Sequence, residues 1–573
     1  MIPALVFTAL VAGQDRHTYR DMSIDLNQLT HNVNPMAAVV DRFSTDRRDL
    51  DRLLEVEVSP KTFAGLKSFY NDWLGALATL DFDSFSLDAK VDYVLLRNRI
   101  EFDLARLDVK LKRLERASGF LPDLEPIIDL AEAKRQMTNV ESEKSAKILT
   151  ELAKTIKAKQ KELPAPAKTE DEPNARYASE VVRDLDAVLK EWYEFYAGYD
   201  PMFSWWCKKP YEEANEALDA YRKHLTEKVA KVDDDEIPGD PVGREALLID
   251  LKHELITYTP EELIEIAEKE FAWCEKEMLK ASEELGFGND WKAALEHVKG
   301  LHEEPGGQPA MIRELAWEAI AYLEDNDLMT IPDLAKRVWR MEMMSPERQK
   351  VSPFFLGGPT ILVSFPTDTM THEEKAMSMR GNNRHFAKAT VHHELIPGHH
   401  MQFFMNNRYQ THRRAFGTPF WTEGWALWWE FLLYERGFPG SAESRVGFLF
   451  WRMHRCARIM FSLRYHLGEM TTLECVDFLV DKVGHERANA EGEVRRSFNG
   501  SYPPLYQLAY MTGALQLRAL YADLVRSGKM TDKQFHDKII TSNSMPIEAL
   551  RMLLTETAPS KDYTTNWRFY IEP

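Results

Sequence analysis

A mainly α-helical fold is predicted by three observations. Apolar residues recur at three- and four-residue intervals through long stretches of the chain, with abundant Lys and Glu between them. Runs that favour strands are sparse. At 573 residues the chain exceeds the size at which a single core stops growing. These point to a large helical architecture of two lobes around a deep cleft, with one small β-sheet.

The elements follow in order. Ile2 to Gly13 is apolar with small residues toward its end, like the apolar and cleavage regions of a secretory signal, although no basic residue precedes it. Residues 1–14 therefore read as a truncated signal peptide, with a short buried element as the alternative. Residues 15–240 form the expected N-terminal helical lobe. Within it, Leu95 to Leu114, Glu141 to Leu163, Ala178 to Tyr196 and Glu212 to Val232 carry helical periodicity. The proline-rich Leu163 to Pro173 reads as a loop, and the acidic Asp233 to Pro241 as a turn that closes this lobe.

Residues 241–573 form the second expected lobe. Thr259-Pro260-Glu261-Glu262 has the order of an N-cap, a proline in first helical position and acids in the first turn. Gly357-Gly358-Pro359 is a turn, and Thr360 with Ile361 to Phe365 is the best strand. Phe420 to Glu430 reads as a helix with aromatics on a repeating face, and Val446 to His466 as a helix rich in Arg and Met.

Composition excludes several classes of partner. Net charge is −19 with no basic stripe, so nucleic acid is not expected as a partner. No apolar run approaches the roughly 20 residues that span a bilayer. The four cysteines, Cys207, Cys274, Cys456 and Cys475, show no CxxC spacing, which argues against a cysteine metal site.

The chemistry concentrates in His392-His393-Glu394-Leu395-Ile396-Pro397-Gly398-His399-His400, which holds four of the 17 histidines. In HExxH metallopeptidases, histidines at i and i+4 chelate zinc and the glutamate between them activates water. Here Pro397 stands four residues after His393. On a regular helix His399 would lie about 9 Å along the axis and roughly 120° around it. Pro397 cannot donate to the His393 carbonyl and its ring clashes there, so the helix should break, with Gly398 supplying the freedom for a bulge. With two residues looped out, His399 returns to the place of the second histidine. Glu423 downstream completes a His, His, Glu set with one open position, the arrangement of catalytic rather than structural zinc. Glu394 is left as general base. His392, His400 and Glu430 read as core, surface or supporting residues.

These motifs carry a resemblance. HELIPGHHMQ, TEGWALWWE and GREALLIDLKHELITYTPEELIEIAEKE are similar to the bacterial family called domain of unknown function 885, whose members carry HExxPGH followed by EGWAxxxE. That family resembles the helical gluzincins, such as thimet oligopeptidase and angiotensin-converting enzyme, which have HExGH and a glutamate about two dozen residues later. The resemblance implies a metallopeptidase-like fold and aligns His399, not His400, with the second ligand. The chain departs from the gluzincin pattern by two inserted residues. Gluzincins of the oligopeptidase type also carry tyrosines that donate to the oxyanion, in a region placed like Ser501 to Gly513. The resemblance puts Tyr510 first in that role and Tyr506 second, with core tyrosines as the alternative. Pro503 and Pro504 leave only Tyr506 and Tyr510 of the regularly spaced Tyr502, Tyr506 and Tyr510 on one helix face. Arg496 and Arg518 are candidates to hold a substrate carboxylate, against the commoner solvated or ion-paired arginine.

The expectation is a zinc-dependent metallopeptidase that cleaves short peptides, periplasmic or secreted. Zinc acidifies a water and polarises the scissile carbonyl, and Glu394 carries the proton. The alternatives are a zinc hydrolase of esters or non-peptide amides, and a non-catalytic peptide-binding protein on a peptidase fold.

Overall fold

The computed structural model describes residues 34–163, 171–231, 237, 239–349 and 355–572. The signal-like residues 1–14, and most of the expected loop and acidic turn, lie outside them. The chain is mainly helical, and its described residues contain one two-stranded sheet. They form two compact units.

The first unit comprises Arg42–Leu80 and Arg97–Asp240. Its main helices are α1 (Ser142–Glu162), α2 (Glu172–Tyr196) and α3 (Pro201–Lys223). Leu149, Ile156, Val182, Leu189, Phe203 and Leu218 are fully buried, the inner stripes of these three helices. α3 starts eleven residues before the expected Glu212. Asp200 caps it by accepting from the Met202 and Phe203 amides, Pro201 fills its first position, and Pro210 sits inside it.

The second unit carries every candidate residue. It comprises Asp81–Leu96 and Pro241–Pro573 with the described residues up to Asp41. α4 (Pro260–Glu284) begins as its sequence foretells: the Thr259 hydroxyl accepts from the Glu262 amide, and the Glu262 carboxylate accepts from the Thr259 amide. α5 (Gln308–Asp325) leads to β1 (Arg340–Met343), which pairs in parallel with β2 (Thr360–Val363). Met311, Ile312 and Leu315 of α5 pack with Ile361 and Val363 of β2 and with Ala387 and Val391 of α6 (Arg384–Glu394). This cluster seats α6 beside the sheet.

α7 (His399–Asn406), α8 (Pro419–Glu435), α9 (Ala442–His466), α10 (Arg487–Phe498) and α11 (Tyr506–Tyr521) complete the site region. α8 is apolar all round rather than on one face. Trp421, Trp425, Trp428 and Trp429 are all fully buried, so the helix is a core element. It crosses α11 at Gly424 and Gly513. A Cβ on Gly424 would lie 2.6 Å from Gly513 Cα, and one on Gly513 would lie 2.1 Å from the Phe420 carbonyl oxygen. Only two glycines let these backbones touch.

All four cysteines are buried and free. No helix among the described residues is long and apolar enough to cross a membrane.

Candidate functional site

α6 stops at Glu394, and the chain passes through Leu395, a cis Ile396–Pro397 bond and Gly398 before α7 restarts at His399. The expected bulge is thus a complete break between two helices. The Gly398 amide donates to the His392 carbonyl at 3.0 Å, and the Trp425 indole of α8 donates to the Pro397 carbonyl at 2.8 Å. Gly398 has φ −77°, so the position is glycine for space rather than for a left-handed conformation. A Cβ there would meet the His393 carbonyl oxygen at 1.7 Å.

The break brings His393 and His399 together. One nitrogen of each and one oxygen of Glu423 all lie within 4.8 Å of one another, and all three residues are buried. Glu423 Oε2 is 3.4 Å from His393 Nε2 and 3.2 Å from His399 Nε2. The edge of a tetrahedron with metal bonds of about 2.0 to 2.1 Å is about 3.3 Å. Each Nδ1 is occupied from behind: His393 donates to Glu430 at 2.7 Å, and His399 to the Gln402 amide oxygen at 3.0 Å. The Gln402 amide nitrogen in turn donates to the Thr422 carbonyl at 3.0 Å, which fixes its orientation. Protons on Nδ1 leave the Nε2 lone pairs facing Glu423 Oε2, and that buried oxygen has no hydrogen-bond donor. Two lone pairs and an unsatisfied carboxylate oxygen, backed by an outer carboxylate and an amide, fit a divalent cation.

The electrostatics agree with this fit. Burial works against charge at each group, yet Glu423 raises His399 to about 9, and the two imidazoles hold Glu423 well below the usual carboxylate range. A cation would take the place of the proton that Glu423 draws onto the imidazoles. Glu394, whose Oε2 is 4.0 Å from His399 Nε2, is raised by burial, only partly offset by His399 and His393. His392 and His400 stay outside the cluster. His392 Nδ1 donates to the Lys388 carbonyl at 2.8 Å, and burial lowers the ring to about 4. His400 lies between the Ala335 and Gly358 carbonyls.

The site residues line a cavity of about 330 Å³ together with Phe355 to Gly357, Arg455, Arg458, Arg496 and Tyr502. The two expected tyrosines have different surroundings. Tyr506 donates to Glu423 Oε1 at 2.5 Å and stacks on Tyr502, whereas the Tyr510 hydroxyl has no hydrogen-bond partner among the described residues. Burial raises both phenols, with a further push from Glu423 on each, which keeps both as proton donors.

One expectation changes. Arg518 does not line the cavity: it is paired with Glu270 at 2.8 Å, a carboxylate that also pairs with Arg452. Strand β2 stands where expected, and Leu356 exchanges two backbone hydrogen bonds with Leu362, so residues 355–357 form the wall of the cavity on that side. Gln402 and Arg455 escaped the sequence reading. The signal for Gln402 is its place three residues after His399, and for Arg455 its place within the apolar run of α9.

The fold and site define a large helical protein with a buried His, His, Glu cluster. The chain belongs to the family described as bacterial protein of unknown function (DUF885), which matches residues 40–554. A protein from Shewanella oneidensis described as a putative lipoprotein of unknown function has a similar structure, with TM-score 0.66 and 16% identity over 90% of this chain and 98% of the other. A second, described as the putative lipoprotein from Colwellia psychrerythraea, has TM-score 0.55 and 16% identity over 87% and 90%. No curated protein matches the chain.

Proposed function

We propose that this protein is a zinc-dependent metallopeptidase that cleaves short peptides, with His393, His399 and Glu423 as the metal ligands. The observation that carries the reading is the convergence of the two Nε2 atoms on a buried Glu423 oxygen that no donor satisfies. The resemblance of HELIPGH and EGWALWWE to the helical gluzincins supports it, and with it a metallopeptidase-like fold. When bound, zinc supplies a Lewis acid and an acidified water at neutral pH.

The chain's own residues do the rest. Glu394, buried and raised above an ordinary carboxylate, takes the water proton and returns it to the leaving amine. Tyr510 has a free phenolic proton at the cavity and donates to the oxygen that becomes negative as the carbonyl is attacked. Tyr506 and Glu430 act on ligands rather than on substrate: Tyr506 holds Glu423, and Glu430 orients His393. A periplasmic or secreted location goes with this reading; the likeness to two proteins described as lipoproteins supports it.

The test is metal analysis together with peptide-library digestion. Purified protein is expected to hold about one zinc per chain. Glu394→Gln is expected to keep the metal and lose cleavage by roughly 10²- to 10⁴-fold. Full activity in that variant would refute the mechanism, and hydrolysis of esters with no peptide products would transfer the site to the ester reading.

A further inference from the structure

Three arginines line the cavity from α9 and α10, and two of them share one adjacent carboxylate. Arg458 Nε is 2.6 Å from Glu493 Oε1, and Arg496 Nε is 2.8 Å from Glu493 Oε2. Both lie with Arg455 in the cavity wall. Arg455 has no such partner. It is only 5% exposed, its Nε has no acceptor, and no carboxylate among the described residues lies within ion-pair distance of it. Its guanidinium rests instead on aromatic faces, 4.6 Å from the Tyr510 ring centre and 5.3 Å from that of Trp451. Burial pulls its pKa down, but a guanidinium stays protonated, so a buried positive charge is left facing the cavity.

Such a charge is costly unless something arrives to pair with it. Glu423 and Glu430 act on Arg455 from a distance, yet each is already engaged with the imidazoles. Four carboxylates (Glu394, Glu423, Glu430 and Glu493) face four guanidinium groups, Arg348 of the cavity wall being the fourth, so a divalent ion in the cluster turns the balance positive. The planar donor fork of arginine matches a carboxylate with two parallel hydrogen bonds. The cavity is near the lower end of ligand sites in size, which suits a short chain end.

We propose that Arg455 is the anion-binding residue of this cavity and takes the free C-terminal carboxylate of a short peptide, so that cleavage falls close to that end. This rests on the peptidase reading and adds its substrate class and direction. Arg458 and Arg496 keep the surroundings positive while Glu493 holds them in place. The Tyr510 ring lies under the Arg455 guanidinium, which places the anion beside the hydroxyl that faces the reacting carbonyl.

The test uses zinc-loaded Glu394→Gln protein, so that binding is read without turnover. Tetra-alanine as the free acid is expected to bind roughly 10- to 100-fold more tightly than its C-terminal amide. Adding Arg455→Met is expected to erase that difference while leaving amide binding in place, and to raise the melting temperature of the ligand-free protein, because an unpaired buried charge has been removed. Arg455→Lys, which keeps the charge and loses the fork, is expected to keep part of the preference. Equal affinity for acid and amide in the parent overturns the proposal without any variant, as does an equal loss of both ligands in Arg455→Met. Wild-type cleavage of acid and amide at the same rate would remove the subsite and leave the peptidase reading standing. Binding of N-acetyl-L-alanine that disappears in Arg455→Met, with no peptide cleaved by the wild type, would do the opposite.

Discussion

Gly398→Ala adds one methyl group at the break between α6 and α7, and its effect can be worked from the backbone. The new Cβ would stand 1.7 Å from the His393 carbonyl oxygen, 2.4 Å from its carbon and 2.8 Å from the His392 carbonyl oxygen. Real contacts of this kind do not fall below 3.0 Å, so the chain must open by at least about 1.3 Å at the residue proposed to supply one ligand. Metal–ligand distances tolerate changes of about 0.2 Å. The substitution should therefore detach one imidazole, lowering zinc affinity by at least about 100-fold, beyond a structural cost of about 1–3 kcal/mol for overpacking. A 100-fold loss of affinity removes up to about 2.7 kcal/mol of zinc-dependent stabilisation. Chelator competition gives the affinity, and melting with and without zinc gives the stabilisation. The variant is expected to melt at nearly the same temperature in both conditions, whereas the parent is not. Wild-type zinc affinity in Gly398→Ala would refute the claim that this glycine sets the ligand spacing.

The two tyrosines should separate cleanly. Tyr510→Phe is expected to keep zinc and substrate binding while lowering turnover by roughly 10²- to 10³-fold, whereas Tyr506→Phe releases Glu423 and should weaken zinc by about 10- to 100-fold; reversed phenotypes in metal titration and kinetics would exchange the roles. Glu254 gives the pH dependence: burial pushes this carboxyl up to about 8, where it accepts from the Thr418 hydroxyl that caps α8. A pKa raised on folding gives stability that is full below about 4.5 and is lost as pH rises to 8, so Glu254→Gln should gain on the wild type across that window, by an upper limit of roughly 5 kcal/mol. A stability difference that stays constant between pH 5 and pH 8.5 in denaturant titrations would show that Glu254 is not the group responsible.

What was legible in the sequence was whatever depends on local rules. Pro397 four residues after His393 forbids the regular helix, and the chain does break there. Thr259 and Pro260 announce a helix start, and the capping box is in place. The prolines ahead of Tyr506 place it at the start of α11, with Tyr510 one turn on. Less legible was anything decided by a distant partner. β1 is a strand because β2 lies beside it, while Arg340 to Met343 on their own carry no alternation that separates them from the helix before. Arg518 and Arg496 look alike in sequence, yet Glu270 claims one and Glu493 the other. Arg455 was hidden by its own helix: Arg452, Arg455 and Arg458 recur every three residues, which reads as a polar stripe until the whole of that turn of α9 proves buried. An arginine stripe between Trp451, Met453, Cys456 and Ile459 cannot reach the outer surface, so its charges need partners inside or a cavity to face.

The broken motif changes what holds the two histidines in register. In HExxH a single helical ladder sets the distance between two histidines, and no other element is needed for it. Here the ladder is cut, and the halves are tied separately to α8. Trp425 holds the Pro397 carbonyl, Glu430 holds the His393 ring, and Gln402 reaches the Thr422 carbonyl while holding His399. Glu423, the third proposed ligand, is on α8 itself. One helix is thus the template for the whole His393, His399 and Glu423 cluster, and its own position is set by the backbone contact of Gly424 with Gly513 on α11. That contact also brings Tyr506 onto Glu423. The dense run of tryptophans in α8 follows from this duty: a template must be immobile, and four fully buried indoles leave it no freedom to shift.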